Sequence, residues 1–213
     1  MNQADFFTKW SALHGNAEIK GAVKVWLKIS FNAARFASAL RITPNLLTLL
    51  GIIFAIAMSL NPQSIWTIPL LVLSLFSDGI DGSVAIYQSR ASKLGAVLDS
   101  TADRISEALW LYVAYRIGAP AWIALITYVV ASTQEYARAR LSGLGVADVG
   151  VVTPAERPVR ASFIFVALVA YALNIHLVTV VISALLFLQV ISFYLVARWA
   201  NNCLRHDLGA QPN

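Results

Sequence analysis

Long apolar runs separated by short polar breaks dominate this 213-residue chain. Six runs approach the roughly 20 residues of helix that a bilayer core takes. They extend from Pro44 to Ser59, Ile65 to Ile86, Leu94 to Tyr115, Trp122 to Ala139, Ala161 to Ala172 and Leu177 to Val196. Pro44 is well placed to open the first, because its fixed φ suits the first helical turn. Two of the breaks, Asn61-Pro62-Gln63 and Asn174-Ile175-His176, are tight and uncharged, and no internal repeat or low-complexity tract interrupts the series. Ahead of the first run, Lys20, Lys24 and Lys28 recur every four residues, with Val23, Val25, Trp26, Ile29 and Phe36 available for an apolar side. That pattern predicts an amphipathic helix lying among lipid headgroups. The fold expected is all-α, a polytopic membrane protein of six transmembrane helices plus an N-terminal amphipathic interfacial helix. Residues 1–42 form the juxtamembrane region, 43–200 the six-helix domain and 201–213 a short tail.

Composition supports this reading. Hydrophobic residues make up 58% of the chain and charged ones 13%, with a mean hydropathy of +0.67. An ordinary soluble domain runs at roughly 45–50% apolar and about 25% charged, so both soluble and disordered readings fail. A single cysteine, Cys203, excludes a disulfide framework and a cysteine-ligated zinc site. The early residues lack the apolar core of a secretory signal. Of the 16 basic residues, 14 fall on one side of the expected spans, with Arg116 on the other and Arg104 inside the third. By the positive-inside rule both termini face the cytoplasm, and a bacterial plasma membrane is the expected location.

The acids add chemistry. Six of the 11 Asp and Glu residues lie within the predicted spans: Asp78, Asp81, Asp99, Asp103, Glu107 and Glu135. A carboxylate at mid-bilayer costs roughly 2.5–3.5 kcal/mol on insertion scales, so each needs a task. Asp78 and Asp81 stand three apart and Asp99 and Asp103 four apart, which puts each pair on one helix face. The two helices are consecutive and antiparallel, joined near Gln88–Lys93, so the four carboxylates converge. They stay ionised together only if something compensates them, and hard divalent cations such as Mg²⁺ or Mn²⁺ prefer such oxygen ligands. Gly82 removes a side chain where a ligand would approach; Gly95 and Ala96 do the same on the facing helix, although helix packing explains Gly95 as well. Ion pairing with Arg104 is the alternative, but one base faces four acids. Glu107 is expected beside Arg104, and Glu135 beside one of the arginines that follow it.

The string Asp78-Gly-Ile-Asp81-Gly82-Ser-Val-Ala85, with Gly95, Asp99 and Asp103 following at set spacings, resembles the signature of the CDP-alcohol phosphotransferase family. That signature reads D-x2-D-G-x2-A-R-x8-G-x3-D-x3-D, and seven of its eight fixed positions are matched. The resemblance implies transfer of a phosphatidyl group from CDP-diacylglycerol to an acceptor alcohol, with release of CMP. It also implies two bound ions, Mg²⁺ or Mn²⁺, and a homodimer. Carried over, Asp78, Asp81, Asp99 and Asp103 bind metal, Asp103 also serves as the general base, and Asp78, Gly82 and Ala85 face the nucleotide. One position departs: the family has Arg where this chain has Ile86. Arg90 lies on the same face if the helix continues, and is the expected substitute toward the nucleotide phosphates.

The acceptor has to be read from the other basic residues. Tyr136-Ala-Arg138-Ala-Arg140 and Glu156-Arg157-Pro158 resemble the phosphatidylinositol phosphate synthase branch, which uses inositol 1-phosphate. In that branch residues matching Arg138, Arg157 and Arg198 hold the acceptor's phosphate, as forked guanidinium donors suit a phosphate monoester. Glycerol 3-phosphate carries the same handle and is the competing acceptor. Two other classes stay open: an ion pathway, since intramembrane acids also mark these, and a weakly active or inactive homologue, motivated by Ile86.

Overall fold

The computed structural model describes residues 1–13, 15, 17–146 and 151–209, and these form helices and connecting turns without a strand. Eight helices are described: α1 (Gln3–Leu13), α2 (Gly21–Ala39), α3 (Pro44–Leu60), α4 (Thr67–Tyr87), α5 (Lys93–Arg116), α6 (Ala121–Gly143), α7 (Arg157–Ala172) and α8 (Val178–Gly209). The six expected apolar segments correspond to α3 through α8. Thr43 caps α3 by accepting a hydrogen bond from the Leu46 N–H, and Pro44 occupies its first turn. Asn174, in the left-handed conformation, ends α7 and lets Ile175 N–H reach the Ala170 carbonyl at 2.8 Å. The last helix continues well into the expected tail, and residues 210–213 of that tail lie outside the described residues.

Helix α1 was not expected. Its signal is present in hindsight: Asn2 accepts from the Asp5 N–H at 2.8 Å as an N-cap, and Phe6, Trp10 and Leu13 recur at helical spacing. Among the described residues two helices, Thr67–Tyr87 and Val178–Arg205, are long and apolar enough to cross a membrane, and Val23–Ala39 with Pro44–Leu60, bent by 105°, pass the same test only when taken together. The others fall short for visible reasons. Helix α7 has 16 residues, α5 carries Asp99, Asp103, Arg104 and Glu107, and α6 carries Gln134, Glu135 and Arg138.

The chain divides into two compact units, one of Met1–Asn61 with Pro69–Leu109 and one of Pro62–Ile68 with Trp110–Asn213. In the first, α2 and α4 meet across Ala34, Ala37, Ile80 and Val84, with Leu47 of α3. A second cluster joins Phe6 of α1 to Leu27 and Phe31 of α2 and Ile86 of α4. The face α2 turns to the protein is therefore Leu27, Ser30, Phe31, Ala34 and Ala37, while Val25, Ile29 and Phe36 stay exposed. Trp26 is exposed as well, yet one edge of its ring lies against Gly79, where an added Cβ would come within 3.1 Å of it. In the second unit, α8 buries Ile182, Leu185, Gln189, Ser192 and Val196, a row at alternating three- and four-residue steps. Gln189 donates to Gln134 of α6 at 2.8 Å, both side chains fully buried.

Candidate active site in the first unit

Close helix packing places the carboxylates. Gly51 of α3 sits where an added Cβ would lie 3.3 Å from the Ser74 carbonyl and 3.7 Å from Asp78 Cβ. Ser74 Oγ donates to the Gly51 carbonyl at 2.7 Å, locking α3 against α4 one turn before the acids. From α4, Asp78 meets Asp99 and Asp103 of α5, one oxygen of each lying within 4.8 Å of the others. Asp81, one turn after Asp78, is 5% exposed and accepts a hydrogen bond from Thr48 Oγ1 of α3. Three carboxylates this close repel one another strongly in a weakly solvated site, and an all-oxygen donor set with that spacing fits a hard divalent cation.

Asp78, Asp81 and Asp99 line a cavity of about 470 Å³ together with Gly82, Ala85 and Arg90. No atom lies within 4 Å of a Cβ built on Gly82, so that backbone faces open space. Gly95 also borders the cavity, but its hypothetical Cβ meets the capping Ser92 Oγ at 3.1 Å and Asn45 Oδ1 at 3.9 Å, so packing already accounts for it. Arg90 reaches the cavity by a different route from the one expected. Helix α4 stops at Tyr87, Ser89 takes a left-handed φ of 53°, and the Arg90 N–H closes onto the Ala85 carbonyl at 2.8 Å. The turn, not a continued helical face, carries this side chain to the site.

Ile86 is 7% exposed and packed in the cluster of Phe6, Leu27 and Phe31. Ile86 also borders the cavity of Asp78, Asp81 and Asp99, and a guanidinium turned into the apolar cluster instead would be desolvated. Thr48 and Trp26 were missed as site residues. Neither follows from α3 or α2 alone, because their relevance lies in which α4 atoms they touch.

Arg104 pairs with Glu107 at 2.8 Å, the partner expected for it, and also lies 3.8 Å from Asp103. Arg138, Arg157 and Arg198 belong to the second unit. Arg138 holds Glu156 bidentately at 2.8 and 3.0 Å, donates to the Val151 carbonyl at 2.9 Å, and has Glu135 at 3.7 Å. Arg157 lies over the Trp110 ring at 5.2 Å, and Arg198 is an exposed residue of α8. Glu135 also pairs with buried Arg160 at 3.3 Å. Partial burial works to raise the Glu156 carboxyl, but the bonds from Arg138 and Thr153 outweigh it and hold the group at about 2 against an ordinary 4.5.

A family model described as CDP-alcohol phosphatidyltransferase matches residues 41–198. The chain belongs to the CDP-alcohol phosphatidyltransferase family. As such it is a membrane transferase of phospholipid synthesis, and the ion-pathway reading falls away. This phosphatidyltransferase is 33% identical over 160 residues to an archaetidylinositol phosphate synthase of Pyrococcus horikoshii, covering 71% of this chain and 83% of that one. It is 35% identical over 144 residues to a phosphatidylinositol phosphate synthase of Cutibacterium acnes, covering 62% and 70%. A Mycobacterium tuberculosis phosphatidylinositol phosphate synthase solved with CDP-diacylglycerol bound shares the fold. Its TM-score is 0.66 at 23% identity, over 81% of this chain and 94% of that one. The same enzyme solved with manganese and citrate gives 0.65 at 23% identity, over 80% and 88%.

Proposed function

We propose that this chain transfers the phosphatidyl group of CDP-diacylglycerol to inositol 1-phosphate, releasing CMP. The observation that carries the reading is the Asp78, Asp99 and Asp103 cluster beside a cavity with open backbone at Gly82. Asp78, Asp81, Asp99 and Asp103 would hold two ions, Mg²⁺ or Mn²⁺, which when bound neutralise the pyrophosphate and lower the pKa of the attacking hydroxyl. Gly82 and Ala85 leave room for the nucleotide, and Arg90 offers its phosphates a forked donor where the motif arginine is replaced by Ile86. The acceptor hydroxyl oxygen forms a bond to the β-phosphorus as the bond from that phosphorus to the CMP oxygen breaks. Asp103 accepts the hydroxyl proton, a role that requires it to lie within hydrogen-bond reach of the acceptor. Arg138, Arg157 and Arg198 are the candidate holders of the acceptor's phosphate. The chain would cross the membrane six times with both termini cytoplasmic, in a bacterial plasma membrane and as a homodimer. The 105° bend between α2 and α3, with Val25, Ile29 and Phe36 exposed, supports α2 lying in the interface.

The names of the relatives favour an inositol phosphate over glycerol 3-phosphate as acceptor. The test incubates purified protein with CDP-diacylglycerol, Mg²⁺ or Mn²⁺, and labelled inositol 1-phosphate or glycerol 3-phosphate. CMP release should require inositol 1-phosphate and disappear in Asp103→Asn. Turnover with glycerol 3-phosphate alone would replace the acceptor, and turnover that persists in Asp103→Asn would remove the assigned base. No CMP release with either acceptor would favour an inactive homologue.

A further inference from the structure

Helices α1 and α2 both precede residues 41–198 matched by the family model, yet both contribute to the aspartate cavity. The seat for α1 is Ile86. Phe6, fully buried, packs with Ile86, Leu27 and Phe31, its ring 5.5 Å from that of Phe31. Lys9 Nζ donates to Ser89 Oγ at 3.3 Å, a second tie from α1 to the turn that carries Arg90. So anchored, α1 brings Trp10 and Leu13 to the cavity wall, where Trp26 of α2 joins them against Gly79. The residue that departs from the family pattern is thus one on which α1 rests.

Two indoles, the open backbone of Gly82 and the methyl of Ala85 line the same cavity as three carboxylates. The carboxylates and Arg90 suit the phosphate portion of a nucleotide. The indoles are planar, apolar and carry π faces, which suits a heterocyclic base. We propose that Trp10 and Trp26 form an aromatic wall against which the cytosine base of the donor packs, with α1 seated on Ile86 to hold Trp10 in place. This rests on the donor assigned above. It makes both tryptophans donor-positioning residues of this chain, and it gives the exchange of arginine for Ile86 a purpose.

The test uses the full-length protein and CMP, a probe that carries the base without the lipid. CMP inhibition of CDP-diacylglycerol turnover and CMP-induced thermal stabilisation are measured for wild type, Trp10→Ala, Trp26→Ala, Trp10→Phe, Trp26→Phe and Phe6→Ala. Base–aromatic stacking predicts that each alanine variant at a tryptophan weakens CMP roughly 5- to 150-fold, with the phenylalanine variants close to wild type. Phe6→Ala should weaken CMP in parallel with Trp10→Ala, because α1 loses its anchor. Unchanged CMP affinity in both tryptophan-to-alanine variants overturns the wall. A rise in KM for CDP-diacylglycerol with unchanged CMP affinity overturns it too, and assigns the indoles to the acyl chains instead. If Trp10→Ala and Trp26→Ala fold poorly, the phenylalanine variants still decide, since affinity lost in them despite a retained aromatic ring would refute stacking. Wild-type protein that neither binds CMP nor releases it refutes the donor assignment itself, a result distinct from an unaltered variant of an active enzyme.

Discussion

Glu156 offers a quantitative test of how the second unit is held together. Its carboxylate takes two bonds from Arg138, and two more from the Thr153 N–H and Oγ1, each at 2.8 Å. These bonds join the end of α6 to the start of α7. Replacing it by Gln keeps the shape and one acceptor but removes the charge. The carboxyl ordinarily titrates at 4.5 and is held at about 2 here. At about 1.4 kcal/mol per pH decade the full interval amounts to about 3 kcal/mol. The pair is half-exposed, and solvent screening reduces the expected contribution to about 1–2 kcal/mol. Because the folded value is the lower one, this stability is complete above pH 4.5 and is lost as pH falls toward 2. Thermal unfolding of detergent-solubilised wild type and Glu156→Gln should therefore differ at pH 7 by roughly 2–8 °C, taking about 2–4 °C per kcal/mol for a chain of this size. The gap should shrink below pH 4.5, fall to about half by pH 3 and close near pH 2. Equal midpoints at pH 7, or a gap as wide at pH 3 as at pH 7, would refute the reasoning.

Other perturbations probe the first unit and the helix seam. Thr48→Val removes the hydroxyl that donates to Asp81 while keeping the volume. A hydrogen bond to a charged group is worth about 1.5–3 kcal/mol, so the metal concentration for half-maximal CMP release should shift about tenfold or more; an unshifted titration would separate Asp81 from metal binding. Arg90→Ala should abolish binding of CDP-diacylglycerol, measured by flotation of labelled lipid or by thermal shift, and unchanged binding would remove Arg90 as the substitute for the motif arginine. Gln134→Leu strands the buried amide of Gln189 and should cost about 1–3 kcal/mol. The double variant with Gln189→Leu should recover most of that, as read by thermal midpoints, and an additive loss would mean the pair is not a closed unit.

Much of the site was legible because it rests on local spacing. Asp78 and Asp81 are one turn apart, Asp99 and Asp103 likewise, and a short turn between two helices is enough to bring such pairs together. The Arg104–Glu107 pair followed from the same arithmetic. Arg90 was assigned to the cavity for the wrong local reason, since the helix ends before it and a left-handed Ser89 performs the turn. The apolar line on α2 is exposed as its spacing predicts. Trp26 is exposed like Val25, Ile29 and Phe36, but its ring also touches Gly79, a contact that nothing within α2 signals.

By itself the sequence determined the helical class, the order of the apolar segments, the placing of two carboxylate pairs on consecutive helices, of which Asp78, Asp99 and Asp103 come together while Asp81 turns to Thr48, and the family. Each of these depends on periodicity or spacing within about 30 residues, which a helix converts directly into geometry. Tertiary structure alone decided that Thr48 donates to Asp81, that Glu156 clamps Arg138, and that Ile86 packs against Phe6 of α1. Those outcomes depend on which side chains meet across helices that are far apart in the chain, and spacing along one helix carries no record of its partner.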